Sequence, residues 1–328
     1  MTLHRMTSHN RATHILIISA HDDAHIQFVT KHFPESVEYT IIDPFKSIGG
    51  KDISYDFDGL RMCIYYGEQP LTGIDSVWFR KPTQLDQIKL EVPDSYLAYT
   101  QSTLRRHLAP LYRHWHDAQW VSPYESIVQA ESKPYQLEIA AKVGFVLPDT
   151  LITGSSSRAQ RFVAKHGTCV VKSQAARFPA GRTMMTRVIS AEDNLLYEGL
   201  SVDPMIFQQY IEPDHELRVT VVGDAVFAAK IIAADQGPFR DWRYGHVDGT
   251  FKATAATIDA DLQTKCVQLT KHMGLSYGAI DLIVDKNGKT WFLEINPNGQ
   301  WAFIEEATGQ PIGKAMAELL CKNAKNAS

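Results

Sequence analysis

The chain offers no paired cysteines. Cys63, Cys169, Cys266 and Cys321 are scattered without a C-x-x-C pair, which argues against both a zinc site and a disulfide framework. No stretch approaches the ~20 apolar residues of a membrane span. The opening MTLHRMTSHNRATH is polar and lacks the apolar core of a signal peptide. A cytoplasmic protein with no membrane partner is the expectation. Basic charge is not in surplus: the formal net charge of −4 gives no global reason for nucleic-acid binding. G-x-x-x-x-G-K-S/T is absent, so the chain is not a P-loop NTPase, and the dinucleotide pattern G-x-G-x-x-G is absent too. The Gly49-Gly50-Lys51 triplet has too little context to replace either. No internal repeat, no low-complexity tract and no Ser-His-Asp or Cys-His set stands out. The histidines therefore read as structural or surface groups.

What is present is ordinary material for a folded protein: 44% hydrophobic and 21% charged residues over 328 positions. That suffices for two or three lobes around more than one core. His14 to Ser19 reads as a buried strand. Asp22 or Asp23 then caps a helix through His32. The HDDAH run looks like a metal cluster, but such residues after a first strand are more often helix caps on a wet loop. Val37 to Asp43, Leu60 to Tyr66 and Ser76 to Phe79 read as further strands. Strands alternating with helices predict a small open α/β lobe. Arg80 and Lys81 fall at the carboxyl end of a strand, where ligands of open sheets collect. A helical pattern covers Tyr96 to Trp120, with a stripe of Leu97, Leu104, Leu108, Leu111 and Trp115. Arg105, Arg106, His107, Arg113, His114 and His116 lie around it, and Trp120 to Pro123 reads as a linker.

Ser132-Lys133-Pro134 opens a helix that Gly144 ends. A strand to Ile152, a helix over Ser157 to His166 and a strand over Cys169 to Lys172 follow. Lys172 precedes the polar loop Ser173 to Thr183; it either reaches phosphates arriving over that loop or snorkels to water. Met205 to Ile211 is an apolar strand running into Glu212-Pro213, a break between lobes. Pro213 stops strand pairing there and leaves nearby backbone groups for a ligand. Glu216 to Val222 and Ala225 to Ala233 form a hairpin around Gly223-Asp224, with Glu216 and Arg218 on one face. A basic, aromatic loop from Gln236 to Gly245 carries Arg240 and Arg243. Asp259 to Met273 is an amphipathic helix ended by Gly274, and Ile312 to Ala324 closes the chain as a helix.

The stretch Ser276 to Gln310 organises the rest. Two β-branched and aromatic runs flank Asn287-Gly288, the strongest short-range hairpin signal. With a two-residue turn, Lys286 faces Lys289, Val284 faces Trp291 and Asp281 lies opposite Glu294. A four-residue loop would make the acids diagonal neighbours. One face then carries Ile280, Leu282, Val284, Trp291, Leu293 and Ile295, and belongs on a core. The other carries Ala279, Asp281, Ile283, Phe292, Glu294 and Asn296. Facing carboxylates have Cβ atoms roughly 5 Å apart and repel. Either that face is simply wet, or a hard cation compensates, since Asp281, Glu294 and Asn296 supply the oxygen-only set that Mg²⁺ prefers. Ile283 and Phe292 on the same face argue against plain solvent.

Four segments, SVWFRKP (76–82), AESKPYQLEIA (130–140), FVLPDT (145–150) and EINPNGQWAFIEEATGQPI (294–312), carry a family resemblance. Over roughly Pro123 to Ala317 the chain resembles the ATP-grasp superfamily, with an N-terminal lobe of the usual preceding kind. Within it, the chain resembles the ribosomal-protein glutamate ligases and, more closely, the microviridin or graspetide maturases of ω-ester and ω-amide peptides. The resemblance implies an α/β (α+β) ATP-grasp fold with ATP between two sheet-containing lobes, and domains over 1–122, 123–205 and 206–328. It implies Lys133 and Lys172 on the ATP phosphates, Gln209, Tyr210 and Ile211 as a hinge presenting backbone to adenine, and Glu216 on the ribose. Arg240 would touch phosphate, Arg218, Arg240 and Arg243 would stabilise its charge during catalysis, and Asp281, Glu294 and Asn296 would bind two Mg²⁺ ions. The implied activity is phosphoryl transfer to a carboxylate, followed by attack of an amine or hydroxyl to close an amide or ester. The implied partners are a precursor peptide with a leader and an acidic, hydroxyl-rich core, and a second copy in a homodimer. An acidic core would suit the basic loop and the basic helix. One departure stands out: the phosphate loop is normally glycine-rich, yet Ser173 to Arg182 contains only Gly181. Two other expectations compete, a ligase adding a free amino acid to a protein or peptide, and a non-catalytic nucleotide-binding protein. The second should lack metal ligands or arginines that this chain retains.

Overall fold

Ile15, Leu16, Ile17 and Ile18 have no exposed surface, as expected of a strand covered on both faces. They lie in β1 (Thr13–Ile18), inside a parallel sheet ordered β2 (Val37–Ile42), β1, β6 (Ile74–Phe79), β7 (Gln119–Val121). A computed structural model describes residues 12–46, 52–174, 186–193, 199–232 and 252–322. Two compact units emerge: Met1–Ile127 with Gly274–Tyr277 and Pro311–Ser328, and Val128–Met273 with Gly278–Gln310.

In the first unit, Asp23 caps α1 (Ala24–Thr30) by accepting the His25 N–H at 2.9 Å. A separate antiparallel sheet joins β3 (Ile53–Phe57), β4 (Met62–Tyr66) and β5 (Gln69–Pro70). The helix expected over Tyr96 to Trp120 is shorter, α2 (Asp94–Leu108). Pro110 lacks the N–H that would continue the helical hydrogen bonding, and Ala109 is the C-cap. Trp120-Val121, expected as a linker, instead pairs with β6, Trp78 opposite Val121. The closing helix, α8 (Ile312–Leu320), also belongs here. Ser76 Oγ donates to the Leu320 carbonyl at 2.6 Å and Gln119 Nε2 to the Leu319 carbonyl at 2.9 Å. The segment expected as 206–328 is therefore divided, because the last helix packs on the first sheet.

Past α3 (Tyr124–Ala130), the second unit holds two sheets. One is antiparallel and ordered β10 (Arg187–Ser190), β9 (Thr168–Ser173), β11 (Met205–Gln209), β8 (Thr150–Thr153). The helix α5 (Ser156–His166) covers it through Ala159 and Val163, packed with Cys169, Ile189 and Phe207. The other is ordered β14 (Lys252–Ala256), β13 (Ala225–Ile232), β12 (Pro213–Val222), β15 (Tyr277–Asp285), β16 (Thr290–Asn296). Against it pack α4 (Lys133–Val143) and α6 (Ala260–His272), the latter capped by Asp259. A short helix, α7 (Ala302–Thr308), follows the hairpin. No helix among the described residues is long and apolar enough to cross a membrane.

Candidate active site

The β15–β16 loop is one residue longer than expected. The Asp285 N–H donates to the Lys289 carbonyl at 3.0 Å, leaving Lys286 to Gly288 as the loop. Gly288 takes φ +79°, the left-handed position that three-residue loops need. Pairing near the loop consequently slips: Val284 faces Thr290, Ile283 faces Trp291 and Leu282 faces Phe292. Continued unchanged, the slip would set Leu293 against Asp281. A bulge at Leu293 absorbs it, so Asp281 faces Glu294 and Ala279 faces Asn296. The opposed acids are as expected, but the faces are not. Phe292, expected beside the acids, is fully buried on the core face and packs on Phe145 with ring centroids 5.3 Å apart. Trp291 replaces it beside Ile283, its Nε1 donating to Asp285 Oδ2 at 2.9 Å.

Each facing acid has a cation of its own. Glu294 Oε2 lies 2.7 Å from Lys133 Nζ, and Asp281 Oδ1 lies 2.7 Å from Arg218 Nη1. Lys133 arrives from the first turn of α4, and Arg218 from β12, which neighbours β15. Arg218 is only 4% exposed, and its Nη2 also donates to the Gln300 carbonyl at 3.2 Å. Gly299 is required by this approach: a Cβ there would lie 2.7 Å from Arg218 Nη2 and 2.5 Å from Ala279 Cβ. The row Lys133, Glu294, Asp281, Arg218 thus places the two acids side by side between two cations, which offsets the repulsion between them. Its oxygen donors, with Asn296 next along β16, suit a hard divalent ion. Among the described residues no group of three or more His, Cys, Asp and Glu side chains is placed to hold a metal. The set here rests on two acids and an amide, and the HDDAH run serves as a cap.

The remaining expected residues lie elsewhere. Lys172 is half-buried on β9 opposite Ile206, and Glu216 half-buried on β12 opposite Ile231. In the segment expected as a hinge, the Gln209 N–H donates to the Asp149 carbonyl at 2.8 Å and the Tyr210 N–H to the Thr168 carbonyl at 3.3 Å. Those two donors are occupied, and Pro213 opens β12 rather than ending pairing. An adenine would have to use other backbone groups of Gln209 to Ile211. Arg240, Arg243 and positions 175–183 of the loop expected at the phosphates lie outside the described residues. Sequence reasoning missed Gln136, Gly299 and Gln300; for Gln136 the signal was a glutamine one turn after Lys133 on the same helix face.

Arg80, read as a strand-end cation, is instead enclosed. Its Nε lies 3.3 Å from Asp23 Oδ2 and its Nη2 3.3 Å from His25 Nδ1, which lies 2.6 Å from Asp23 Oδ1. Burial alone would raise the Asp23 carboxyl, but the His25 hydrogen bond and the Arg80 charge outweigh it and hold the group at about 2. Burial, reinforced by Arg80, pushes the His25 imidazole below its ordinary value.

The profile of the RimK-like ATP-grasp domain matches residues 130–320. A "Probable alpha-L-glutamate ligase 1" of Shewanella denitrificans is 32% identical over 133 residues, covering 40% of this chain and 43% of that protein. The chain thus spans less than half the length of that curated relative, and 66% of a Vibrio atlanticus "Probable alpha-L-glutamate ligase". Among solved structures, a RiPP-associated ATP-grasp ligase of Chryseobacterium gregarium, in complex with ADP and a leader and core peptide, superposes with TM-score 0.84 at 27% identity. That match covers 95% of this chain and 97% of the other. The macrocyclase MdnC of Microcystis aeruginosa, bound with precursor peptide MdnA, gives TM-score 0.81 at 24% identity over 94% and 99% of the two chains, a likeness of fold.

Proposed function

This chain belongs to the RimK-like ATP-grasp family, and from that premise we propose that it is an ADP-forming ligase closing ester or amide links within a ribosomally made precursor peptide. The two facing acids flanked by cations, in the row Lys133, Glu294, Asp281, Arg218, carry the ligase part of this reading. In the reaction, a substrate carboxylate oxygen attacks the γ-phosphorus of ATP, the bond to the β,γ-bridging oxygen breaks, and ADP leaves. The acyl phosphate is then attacked at its carbonyl carbon by a hydroxyl or amine, phosphate departs, and the nucleophile's proton passes to phosphate or water. Such transfers depend mainly on positioning and charge stabilisation. Lys133 and Lys172 hold phosphates, Gln209 to Ile211 face adenine, Glu216 takes the ribose, and Arg218, with Arg240 and Arg243, steadies phosphate charge. Asp281, Glu294 and Asn296 would hold Mg²⁺, which would neutralise charge developing on the phosphates.

The peptide substrate is supported by the likeness, over nearly all of both chains, to a ligase solved with ADP, leader and core peptide. The curated glutamate ligases favour a second reading, addition of a free amino acid to a peptide or protein. Mass spectrometry separates the two. Incubated with ATP, Mg²⁺ and candidate precursor peptides carrying Asp or Glu together with Thr, Ser or Lys in the core, the protein should remove one water per linkage. A mass gain equal to an added amino acid moves the assignment to the second reading.

A further inference from the structure

The outer edge of β16 is held by a side chain rather than by a strand. β16 is the last strand of its sheet, and an edge strand turns every second residue's N–H and C=O away from its neighbour. At Ile295 those two groups meet the amide of Gln136. The Ile295 N–H donates to Gln136 Oε1 at 3.1 Å, and Gln136 Nε2 donates to the Ile295 carbonyl at 2.8 Å. The other amide proton goes to the Ala130 carbonyl at 2.6 Å, so both donors are used, and Gln136 is 1% exposed. A glutamine amide presents a donor and an acceptor side by side, the pair a neighbouring strand would offer.

The bulge makes this possible. The Phe292 N–H also points outward, donating to the Val146 carbonyl at 2.9 Å. Residues an odd number apart in a regular strand face opposite edges, so Phe292 and Ile295 could not both do so without the extra residue, Leu293.

We infer that Gln136 is a positioning residue for the metal ligands: it clamps the residue between Glu294 and Asn296 and fixes both side chains in register. Lys133, one turn earlier on α4, reaches Glu294 itself. One helix therefore sets the phosphate-binding cation and the metal-binding strand against each other. The inference rests on the metal role proposed above for Glu294 and Asn296.

Gln136→Met keeps the length of the side chain and removes the clamp. In the presence of ADP, Mn²⁺ affinity read from the electron paramagnetic resonance of the free ion should fall about 10- to 100-fold, the range for residues that orient metal ligands. Half-saturating Mg²⁺ for ATP turnover should rise by the same factor, with kcat at saturating Mg²⁺ close to the parent's. Amide-exchange protection at Ile295 should fall with it. Gln136→Asn, which keeps the amide but is one methylene short, should lie between. Mn²⁺ affinity and half-saturating Mg²⁺ within twofold of the parent in folded Gln136→Met overturn the proposal; should that protein not fold, the same limit applies to Gln136→Asn. Glu294→Gln distinguishes the two claims. If it leaves Mn²⁺ binding intact, the metal assignment fails; if it abolishes binding while Gln136→Met does not, the positioning role alone fails.

Discussion

Arg218 sits at the buried end of a row of four charges, so removing it leaves Asp281 facing Glu294 with Lys133 still on Glu294 but without the cation on Asp281. Breaking a buried pair by deleting one partner costs about 3–5 kcal/mol, and Arg218→Met should lose that much in urea unfolding. Adding Asp281→Asn should recover part of it, because the partners share one interaction and their effects do not add. The acids are expected to matter for chemistry beyond their share in stability. Asp281→Ala or Glu294→Ala should abolish ATP turnover while the circular dichroism spectrum stays unchanged. Near-normal ATP consumption in either would reject the metal role. The opposed acids were legible in sequence because strand alternation and an Asn-Gly turn are local rules. Gln136 and Gly299 were not, since each acts on a partner that only the folded chain brings near, at Ile295 and at Arg218.

Elements bounded by local chemistry came out as expected: Asp23 and Asp259 at helix starts, Gly144 and Gly274, in left-handed conformations, at helix ends. Elements defined by their partners did not. β3 and β14 carry short runs of mixed polarity, and β7 is a strand only because β6 lies alongside. In the hairpin, two departures cancel, a longer loop and a bulge, so counting from the turn reached the right acid pair through the wrong faces. The α1 cap also sets a pH response. The Asp23 carboxyl is at about 2 in the fold and near 4 in an unfolded chain, so its stabilisation is complete above about pH 4 and lost as pH falls toward 2. His25 is held below its ordinary value, so the unfolded chain takes up the proton first and stability declines as pH drops below about 6.5. Both act in one direction. The melting temperature should fall between pH 7 and pH 5, and His25→Gln should flatten that part of the curve; an unchanged slope would remove His25 as the cause.

At the scale of the whole chain, order in sequence and membership of a compact unit differ. The last described helix, α8, packs on the first sheet, and the short segment Gly274–Tyr277 also belongs to that unit, where Ser122 Oγ accepts the Ser276 N–H at 2.9 Å. A sequence that shows an amphipathic terminal helix cannot by itself show which sheet it returns to, because its apolar stripe fits any complementary face. The consequence is testable through long-range stability. Met316 and Leu320 are almost completely buried, and truncating either to alanine should cost about 2–5 kcal/mol. If α8 folds with the first unit, amide-exchange protection in Leu320→Ala should fall at Val77 to Phe79, more than 240 residues away in sequence. Protection at Leu282 and Phe292 in the second unit should remain at the parent level. Equal losses at both places would mean that the helix stabilises the protein as one cooperative body rather than the unit it packs in.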